Sequence, residues 1–512
     1  MNPISRREFL ATSALSIAAT GLRAQNRSPI QVNLVIPSEA NGPQIPGGFV
    51  GLSYELEELA NPEFFSARNA GLIRAFKQIS SRGVLRLGGN TSEFSWWKPT
   101  PDSPEPEHPL TREVVGEPKA SYYAVTPEAI RNLTAFLEAT GWTCLYGINM
   151  GTNTPARAAE EAEFAARTLG SRLQYFQIGN EVDLFGHHLR DPQTWSAQTY
   201  LTQWLSLARA IAVRVPSASF GMPDIATNMS WLPQIADAWS SIENPPHVTT
   251  LTHHYYFGGP PSNPDVNIPN LLKAATMAKV QNMADTASAA AAKMGVRVRM
   301  TEGNTCYRGG KPGVSDVFAA ALWSADYSLF LATNNYSGIN LHGGTGPIIA
   351  SGLGGVMYGD QVLKDQGATP EQIATHPHAY YSPIAEFGST YVLEPVAYGL
   401  IFAGSFAGGT LIQNDLTAKL QAAGINATAY AAKLPSGQTS VIVLNKDMEN
   451  DLALGLDFGA ARTGVVELDS LTAPSLESRE AHLTRATKSG RMKDGKLTAL
   501  VPRASGLRVT VL

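Results

Sequence analysis

The chain has 512 residues and a formal net charge of −4, with 44% hydrophobic and 16% charged residues. This composition indicates a well-filled globular core and excludes a disordered or fibrous chain, and the length predicts one large domain with a smaller one. The acidic balance, with no Lys/Arg-rich run that interleaves with aromatic residues, argues against nucleic acid as a partner.

The N-terminus carries a pattern typical of export. The stretch SRREFL at residues 5–10 precedes a mildly apolar segment that ends at Ala24, and this arrangement resembles a twin-arginine signal. We therefore expect residues 1–24 to be a signal peptide and the mature protein to be periplasmic or secreted by a bacterial cell; an ordinary N-terminal helix is the alternative. No other stretch has the roughly 18 consecutive apolar residues of a membrane-spanning helix, so we expect no membrane association after cleavage.

From about residue 45, eight β-rich runs alternate with segments of helical period. The β-rich runs lie at 47–56, 83–90, 143–149, 173–180, 218–224, 248–257, 296–303 and 336–344. Helix-like runs lie at 127–141, 156–170, 199–215 and 271–295. Because alternation implies parallel strands and eight units close a sheet, the pattern predicts an α/β fold, a (β/α)8 TIM barrel over residues 45–384. An open doubly wound sheet is the rival, but no G-x-G-x-x-G follows the first strand.

The pattern changes near residue 385. Short β-rich runs with polar, turn-rich links predict a C-terminal all-β domain of sandwich type over 385–512. An early run, PIQVNLVIP, reads as a half-buried strand, so we predict that residues 25–44 add a strand to this domain. Two long connections, 98–124 and 343–379, follow the second and eighth barrel strands and are candidate walls of a pocket at the C-terminal face of the barrel.

Two cysteines, Cys144 and Cys306, are too few for a disulfide scaffold or a metal cage. Both lie on or next to predicted strands, so we interpret them as free, half-buried thiols that pair only if the fold brings them together. We also expect a monomer without a cofactor.

Two glutamates stand at the ends of predicted barrel strands. In QIGNEVDLF, Asn180 and Glu181 directly follow the fourth strand, and in RVRMTEGN, Glu302 ends the seventh. Both carboxyl groups therefore belong to the catalytic face, opposite each other across the barrel mouth. Retaining glycoside hydrolysis needs two carboxyl groups about 5–5.5 Å apart, and an amide such as that of Asn180 can hydrogen-bond the sugar 2-hydroxyl. Structural salt bridges at two strand ends are the alternative.

Longer motifs resemble a known family. The run TEGNTCYRGGKPGVSDVFAAALWSADY (301–327), together with THHYYF (252–257) and LRLGGN (85–90), is similar to glycoside hydrolase family 79, the β-glucuronidases and heparanases. The similarity extends from about residue 45 through the C-terminal β-domain. It implies Glu181 as acid/base and Glu302 as nucleophile.

The resemblance also implies a set of substrate contacts after the seventh and eighth strands. Tyr307 matches a tyrosine that lies against the nucleophile and the sugar, and Arg308 and Gly309 occupy positions whose backbone N–H groups meet the uronate carboxylate. The heparanase turn is richer in glycine, so Arg308 is a departure that either adds a guanidinium for the carboxylate or narrows the subsite. Tyr358 matches a tyrosine that helps to bind the carboxylate.

Other candidate contacts lie on the first, second and sixth strands. Alternate residues of a strand share a face, so His254 and Tyr256 point the same way; the resemblance selects them as pocket residues, and a hydrogen bond inside the barrel core is the alternative for His254. Metal binding is not expected, because adjacent histidines point to opposite faces and no third ligand has suitable spacing. The resemblance further implies Glu55 and Asn90 as residues near the sugar, whereas Glu57 replaces an asparagine of the relatives.

These features predict an exported retaining β-glucuronidase that releases terminal glucuronic acid from an oligosaccharide or glycoconjugate through a covalent glycosyl-enzyme intermediate. An endo-acting heparanase-like glycosidase and a neutral-sugar retaining β-glycosidase are alternatives within the enzyme class. A carbohydrate-binding pseudoenzyme is the non-enzymatic alternative, and it predicts the loss of one carboxylate.

Overall fold

A computed structural model describes residues 28–108, 122–459, 464–485 and 490–512. The predicted signal peptide at 1–24 and part of the 98–124 connection lie outside these residues, so the export signal stays a prediction. No helix of the described residues is long and apolar enough to cross a membrane.

Eight parallel strands close into a barrel, which confirms the predicted (β/α)8 fold. Around the barrel the order is β2-β3-β6-β7-β8-β9-β10-β11, and β11 pairs with β2 to close it. Most of these strands are buried along nearly their whole length, as expected for parallel strands that are covered on both faces. The strands are β2 Val50–Glu55, β3 Val84–Gly88, β6 Thr143–Ile148, β7 Leu173–Ile178, β8 Phe220–Ile225, β9 Val248–Gly258, β10 Arg297–Cys306 and β11 Tyr336–His342.

The helices cover the outside of the barrel and extend its loops. Several begin at a side-chain cap: Thr126 and Thr154 accept backbone N–H groups of the first turn, and a proline follows each of them. The predicted helix 271–295 is divided at Lys273, whose backbone is extended. The helices are α1 Ala70–Ile79, α2 Pro127–Thr140, α3 Pro155–Leu169, α4 Ala197–Arg214, α5 Trp231–Trp239, α6 Ile268–Leu272, α7 Ala274–Met294, α8 Phe318–Thr333, α9 Gly346–Gly352, α10 Tyr358–Asp365, α11 Pro370–Ile373, α12 Pro395–Gly404 and α13 Leu416–Ala422.

A helix that follows the predicted boundary at 384 packs on the barrel. Helix α12 is apolar on most of its surface and packs against α8, where the Ser324 hydroxyl donates to the carbonyl of Val396 at 2.7 Å. A Cβ at Gly399 would lie 2.0 Å from the carbonyl oxygen of Ala321, so glycine permits this close approach. Residues 395–404 therefore pack against the barrel helix α8, and the strands of the C-terminal sheets follow from Thr410.

The C-terminal domain contains a three-stranded and a seven-stranded sheet that share one apolar core. Its first sheet includes the N-terminal strand β1, which pairs in parallel with β17, next to β21. The second sheet has the order β14-β15-β16-β22-β18-β19, and β20 also pairs with β18. Its strands and the remaining ones are β1 Ile30–Val35, β4 Ser95–Trp97, β5 Tyr123–Val125, β12 Ile384–Phe387, β13 Thr390–Leu393, β14 Thr410–Leu411, β15 Ala427–Lys433, β16 Thr439–Asn445, β17 Leu452–Asp457, β18 Gly464–Thr472, β19 His482–Arg485, β20 Gly490–Met492, β21 Lys496–Val501 and β22 Ser505–Val511.

Both cysteines are free thiols, as predicted, but they are fully buried. Cys144 lies in β6 and Cys306 ends β10. Burial raises the pKa of both thiols, which disfavours the reactive thiolate.

A buried ion pair joins the barrel to the β-domain. Asp326 of α8 accepts hydrogen bonds from the Thr428 hydroxyl at 2.6 Å and the Tyr430 hydroxyl at 2.7 Å, and it pairs with the Lys446 ammonium. The Asp326 and Lys446 side chains are 1% and 3% exposed. Because each charge has lost its hydration, removal of one partner leaves the other uncompensated.

We therefore expect Lys446→Met to lower the free energy of unfolding by about 3–5 kcal/mol. Urea denaturation followed by tryptophan fluorescence measures the loss. Lys77→Met, at an exposed position of α1, is the matched control and should leave the unfolding midpoint nearly unchanged. Equal midpoints for the two variants would show that the Lys446 pair does not hold the domains together.

Candidate active site

A cavity of about 690 Å³ opens at the C-terminal ends of the barrel strands. The loop after β11 supplies part of its wall, as predicted for the 343–379 connection, whereas the described parts of the 98–124 connection do not line it. The polar and charged lining residues are Glu55, Asn90, Thr91, Glu93, Asn180, Glu181, His187, His188, Thr227, His254, Tyr255, Tyr256, Glu302, Tyr307, Arg308, His342, Ser351 and Tyr381.

The two glutamates reach the cavity through local departures from regular strand geometry. Glu181 follows β7 in a left-handed backbone conformation, φ 48°, and its N–H donates to the carbonyl of Asp224 at 2.8 Å. The pairing of β10 with β9 shifts register between Met300 and Glu302. Left-handed backbone is uncommon for residues other than glycine and often occurs at functional sites. Here it turns the Glu181 side chain toward the barrel mouth.

The Glu181 and Glu302 carboxyl groups are close neighbours. One carboxylate oxygen of each, together with a ring nitrogen of His254, falls within a set of atoms that are all within 4.8 Å of one another. The Glu302 side chain is 8% exposed and that of Glu181 is 19% exposed. Both groups thus face the same small volume, where one reacting atom can lie between them.

A buried guanidinium organises this cluster. Arg86 of β3 donates through Nη1 to Glu302 Oε2 at 2.6 Å, and through Nη2 to Asn180 Oδ1 at 2.6 Å and to Asp224 Oδ2 at 2.5 Å. Burial opposes the charge of Arg86, but Asp224 and Glu302 outweigh that effect and raise its pKa above the usual value. Arg86 is therefore a permanent cation that links residues of β8 and β10 with Asn180, which follows β7.

His254 is a second buried cation in the cluster. Its Nε2 lies 3.1 Å from Asp224 and its Nδ1 lies 3.1 Å from Glu181 Oε1. Burial opposes the charge, but Asp224 and Glu302 raise the pKa of His254 to about 10. The imidazolium therefore donates one N–H to Asp224 and the other to Glu181.

The two glutamates have opposite pKa shifts. Burial raises the pKa of Glu181, although His254 partly opposes this effect. Burial would also raise the pKa of Glu302, but the electrostatic effect of the neighbouring His342, His254 and Arg86 side chains holds it below the usual value. Two carboxyl groups whose environments separate their pKa values are the arrangement that provides one proton donor and one anion at the same pH.

Tyrosines cover the other side of Glu302. The Tyr256 hydroxyl donates to Glu302 Oε1 at 2.9 Å, so the nearest phenol to this carboxylate belongs to β9. Tyr307, to which the resemblance assigned that position, lies farther out: it is 39% exposed and its ring contacts the Tyr256 ring edge-on at 6.4 Å. Tyr307 therefore forms part of the rim of the cavity.

Glu55, Asn90 and Asn180 lie together along the cavity wall. Glu55 Oε2 accepts from the backbone N–H and the hydroxyl of Thr91 at 2.9 and 2.7 Å. The Asn180 amide donates to Asn90 Oδ1 at 3.2 Å. Gly89 directly precedes Asn90 and has φ 74°. A Cβ at Gly89 would lie 2.2 Å from the Glu55 carboxylate. Glycine is therefore required where the chain turns past Glu55.

Of the three residues predicted to bind the uronate carboxylate, Arg308 lines the cavity and Gly309 and Tyr358 do not. Arg308, φ 60°, lines the cavity, and its guanidinium carbon lies 4.3 Å above the Tyr358 ring. Gly309 and Tyr358 are described residues that are not among those lining the cavity. The stacking on Tyr358 gives that ring a supporting role for Arg308.

Sequence reasoning missed Arg86, Asp224 and His342. Arg86 stood in the quoted motif LRLGGN, and a charged residue among the leucines of a buried strand signals a paired internal cation. Asp224 ends β8 as Glu181 follows β7, so its position also carried a signal. His342 ends β11 and lies 3.7 Å from Glu302 and 3.5 Å from Glu55.

Glu93 was also missed. It is buried below Asn180, and its carboxylate accepts the backbone N–H groups of Met150, Gly151 and Asn180. Burial raises the pKa of Glu93 to about 7, although these donors oppose the shift. Glu93 thus joins the loops after β3, β6 and β7 at the cavity wall.

Glu181, His254 and Glu302 are the described residues with metal-ligand spacing. The protonated His254 has no free lone pair for a metal, and the Arg86 guanidinium already occupies Glu302 Oε2 at 2.6 Å. These contacts do not favour a cation there, and the expectation of a metal-free site stays a prediction.

No protein-family model matches the chain. A β-glucuronidase of Aspergillus niger is 25% identical over 376 residues, which cover 67% of each chain. A β-glucuronidase of Neurospora crassa is 24% identical over 370 residues, 64% of this chain and 63% of the relative.

Solved structures share the fold. The 4-O-α-L-rhamnosyl-β-D-glucuronidase of Fusarium oxysporum 12S superposes with a TM-score of 0.69 at 16% identity, over 94% of this chain and 100% of that one. A family 51 arabinofuranosidase of Xanthomonas axonopodis pv. citri gives 0.63 at 14% identity, over 92% and 97%. The barrel places two glutamates beside each other in one cavity. Together with these relatives, it makes the protein a glycoside hydrolase.

Arg86 provides a test of the charge cluster. Because its charge helps to keep Glu302 ionised, Arg86→Met should raise the Glu302 pKa and move the acid limb of the kcat/KM–pH profile to higher pH. Arg86→Lys keeps a cation and should shift the limb less. The profiles are measured on a chromogenic glycoside that the wild type hydrolyses. An unmoved acid limb in the Met variant would mean that Arg86 does not set the charge of Glu302.

Proposed function

We propose that the protein is a retaining β-glucuronidase that removes terminal glucuronic acid, with Glu302 as nucleophile and Glu181 as acid/base. The separation of at most 4.8 Å between their nearest oxygens carries the retaining assignment. Retaining enzymes hold the two carboxyl groups about 5–5.5 Å apart, whereas inverting enzymes leave about 6.5–9.5 Å for a water molecule.

The opposite pKa shifts support this assignment of roles. Glu302 is held as an anion by the surrounding cations, which suits direct attack on the anomeric carbon. Glu181 has a raised pKa, which suits protonation of the leaving oxygen. Asn180, fixed between Arg86 and Asn90, presents an amide next to the acid/base, where it can bind the sugar 2-hydroxyl.

A uronate substrate needs a positive partner in an acidic cavity. Arg308 is the one Lys or Arg among the described lining residues, and the Tyr358 ring supports its guanidinium. Charge-assisted bonds between guanidinium and carboxylate are among the strongest in proteins. The proposal therefore assigns the glucuronate carboxylate to Arg308, with Tyr307 beside it at the rim.

The relatives support the same substrate. Both curated relatives are β-glucuronidases, and the Fusarium oxysporum enzyme is a rhamnosyl-glucuronidase. With the motif resemblance, they also support membership of glycoside hydrolase family 79. A neutral-sugar glycosidase remains the competing reading, because low-identity barrel neighbours include arabinofuranosidases.

The first prediction of this proposal concerns the glutamates. We expect the mature protein to hydrolyse 4-nitrophenyl β-D-glucuronide and to release the β-anomer first, as proton NMR would show. Glu302→Gln should abolish turnover, because no nucleophile remains. Glu181→Gln should lower kcat about 10²–10⁴-fold for a poor leaving group, and less for 4-nitrophenol. Initial release of the α-anomer would point to inversion.

The second prediction concerns Arg308. Loss of a charge-assisted bond of about 1.5–3 kcal/mol should lower kcat/KM for the glucuronide about 10–100-fold in Arg308→Met. Its activity on the matching glucoside, which has no carboxylate, should not fall. Lys311→Met is the matched control, because Lys311 bonds the carbonyl of Asn263 and does not line the cavity. An equal loss on both sugars would remove Arg308 from carboxylate recognition.

A further inference from the structure

The cavity wall next to Glu181 differs from the other walls in the types of side chain that line it. It consists of the 3₁₀ helix Val182–His187 after β7 and the loop after β8. Its described lining side chains include no Lys, Arg, Asp or Glu besides Glu181 itself; they are Leu184, His187, His188, Ala226, Thr227 and Met229.

A set of hydrogen bonds from one carboxylate holds these two loops together. The Asp183 carboxylate accepts the backbone N–H groups of Ala226 at 2.7 Å, Thr227 at 3.0 Å and Asn228 at 2.9 Å. The Trp195 indole N–H donates to the carbonyl of Val182 at 2.7 Å and fixes the start of the helix. Hydrogen bonds therefore fix the positions of both loops of this wall relative to each other.

No Lys or Arg is among the described residues of this wall. The nearby Arg190 donates to the carbonyl oxygens of Met150, Gly151 and Leu189, and it does not line the cavity. Burial, together with the neighbouring His187 and Arg190, lowers the pKa of His188 to about 4, so its ring is neutral near neutral pH. Arg308 belongs to the loop after β10, whereas this wall belongs to the loops after β7 and β8.

We infer that this wall is the leaving-group subsite and that it accepts an uncharged aglycone with an apolar face. The inference rests on the proposed function, because the group protonated by Glu181 must leave on the side of Glu181. Leu184 and Met229 supply apolar contact, and the neutral His188 ring and the Thr227 hydroxyl supply hydrogen bonds. A sulfated or carboxylated aglycone meets no Lys or Arg among the described residues of this wall, so it loses its hydration without a guanidinium or ammonium partner there.

Three glucuronides test this inference. The first is 4-nitrophenyl β-D-glucuronide, the second carries a sulfonate on the same ring, and the third is β-D-glucuronosyl fluoride, whose leaving group is too small to fill the subsite. The sulfonate withdraws electrons, so chemistry alone would speed cleavage of the second substrate. We expect its kcat/KM to be at least about tenfold lower than that of the first substrate. Equal or faster hydrolysis of the sulfonated substrate would overturn the inference.

Variants locate the effect. Leu184→Ala and Met229→Ala should lower kcat/KM for the 4-nitrophenyl substrate about tenfold more than for the fluoride, because only the aryl group contacts these side chains. Thr202→Ala, at an exposed position of α4, is the control and should change neither value. Equal losses on both substrates would show that the wall does not bind the aglycone. If no glucuronide were cleaved but neutral glycosides were, the proposed function itself would fail.

Discussion

The buried Arg86 guanidinium is the contact on which the active site depends. It lies inside the barrel with hydrogen bonds to Asn180 after β7, Asp224 of β8 and Glu302 of β10, so one planar group fixes the relative positions of these three residues. A buried ion costs several kcal/mol in lost hydration and is tolerated only when its partners are well placed. The three acceptors at 2.5–2.6 Å meet that requirement. The position of Glu302 is thus a consequence of charge pairing within the core.

The same cluster explains why two chemically identical side chains behave differently. Glu302 lies beside Arg86, His254 and His342, whereas Glu181 pairs with His254 among the described residues. Both are largely buried, so the opposite directions of their pKa shifts come from these different neighbours. Asp224 forms ion pairs with both Arg86 and His254, and it holds these cations in place without lining the cavity.

The sequence allowed the fold and the position of the two proposed catalytic glutamates to be predicted, but not the network of contacts around them. Alternation of β-rich and helical runs is a local signal, and eight repeats determine a closed barrel. The ends of those runs placed Glu181 and Glu302 at the barrel mouth. Arg86 and Asp224 were not selected because their importance comes from contacts 138 residues apart in the chain. Tyr307 and Tyr256 show the same limit: strand alternation identifies the face of a side chain, but not which phenol reaches the carboxylate.

The charges that remain after nucleophilic attack follow from this arrangement. In the proposed mechanism, the ester on Glu302 has no negative charge, while Arg86 and His254 keep their positive charges. Asp224 is then the one anion that offsets two cations in direct contact with it. The surplus of positive charge stabilises the carboxylate form of Glu181, so its pKa falls when the aglycone has left. His254, 3.1 Å from Glu181, is the group through which this surplus acts. The network that ionises the nucleophile in the first step therefore converts the acid into a base for the second.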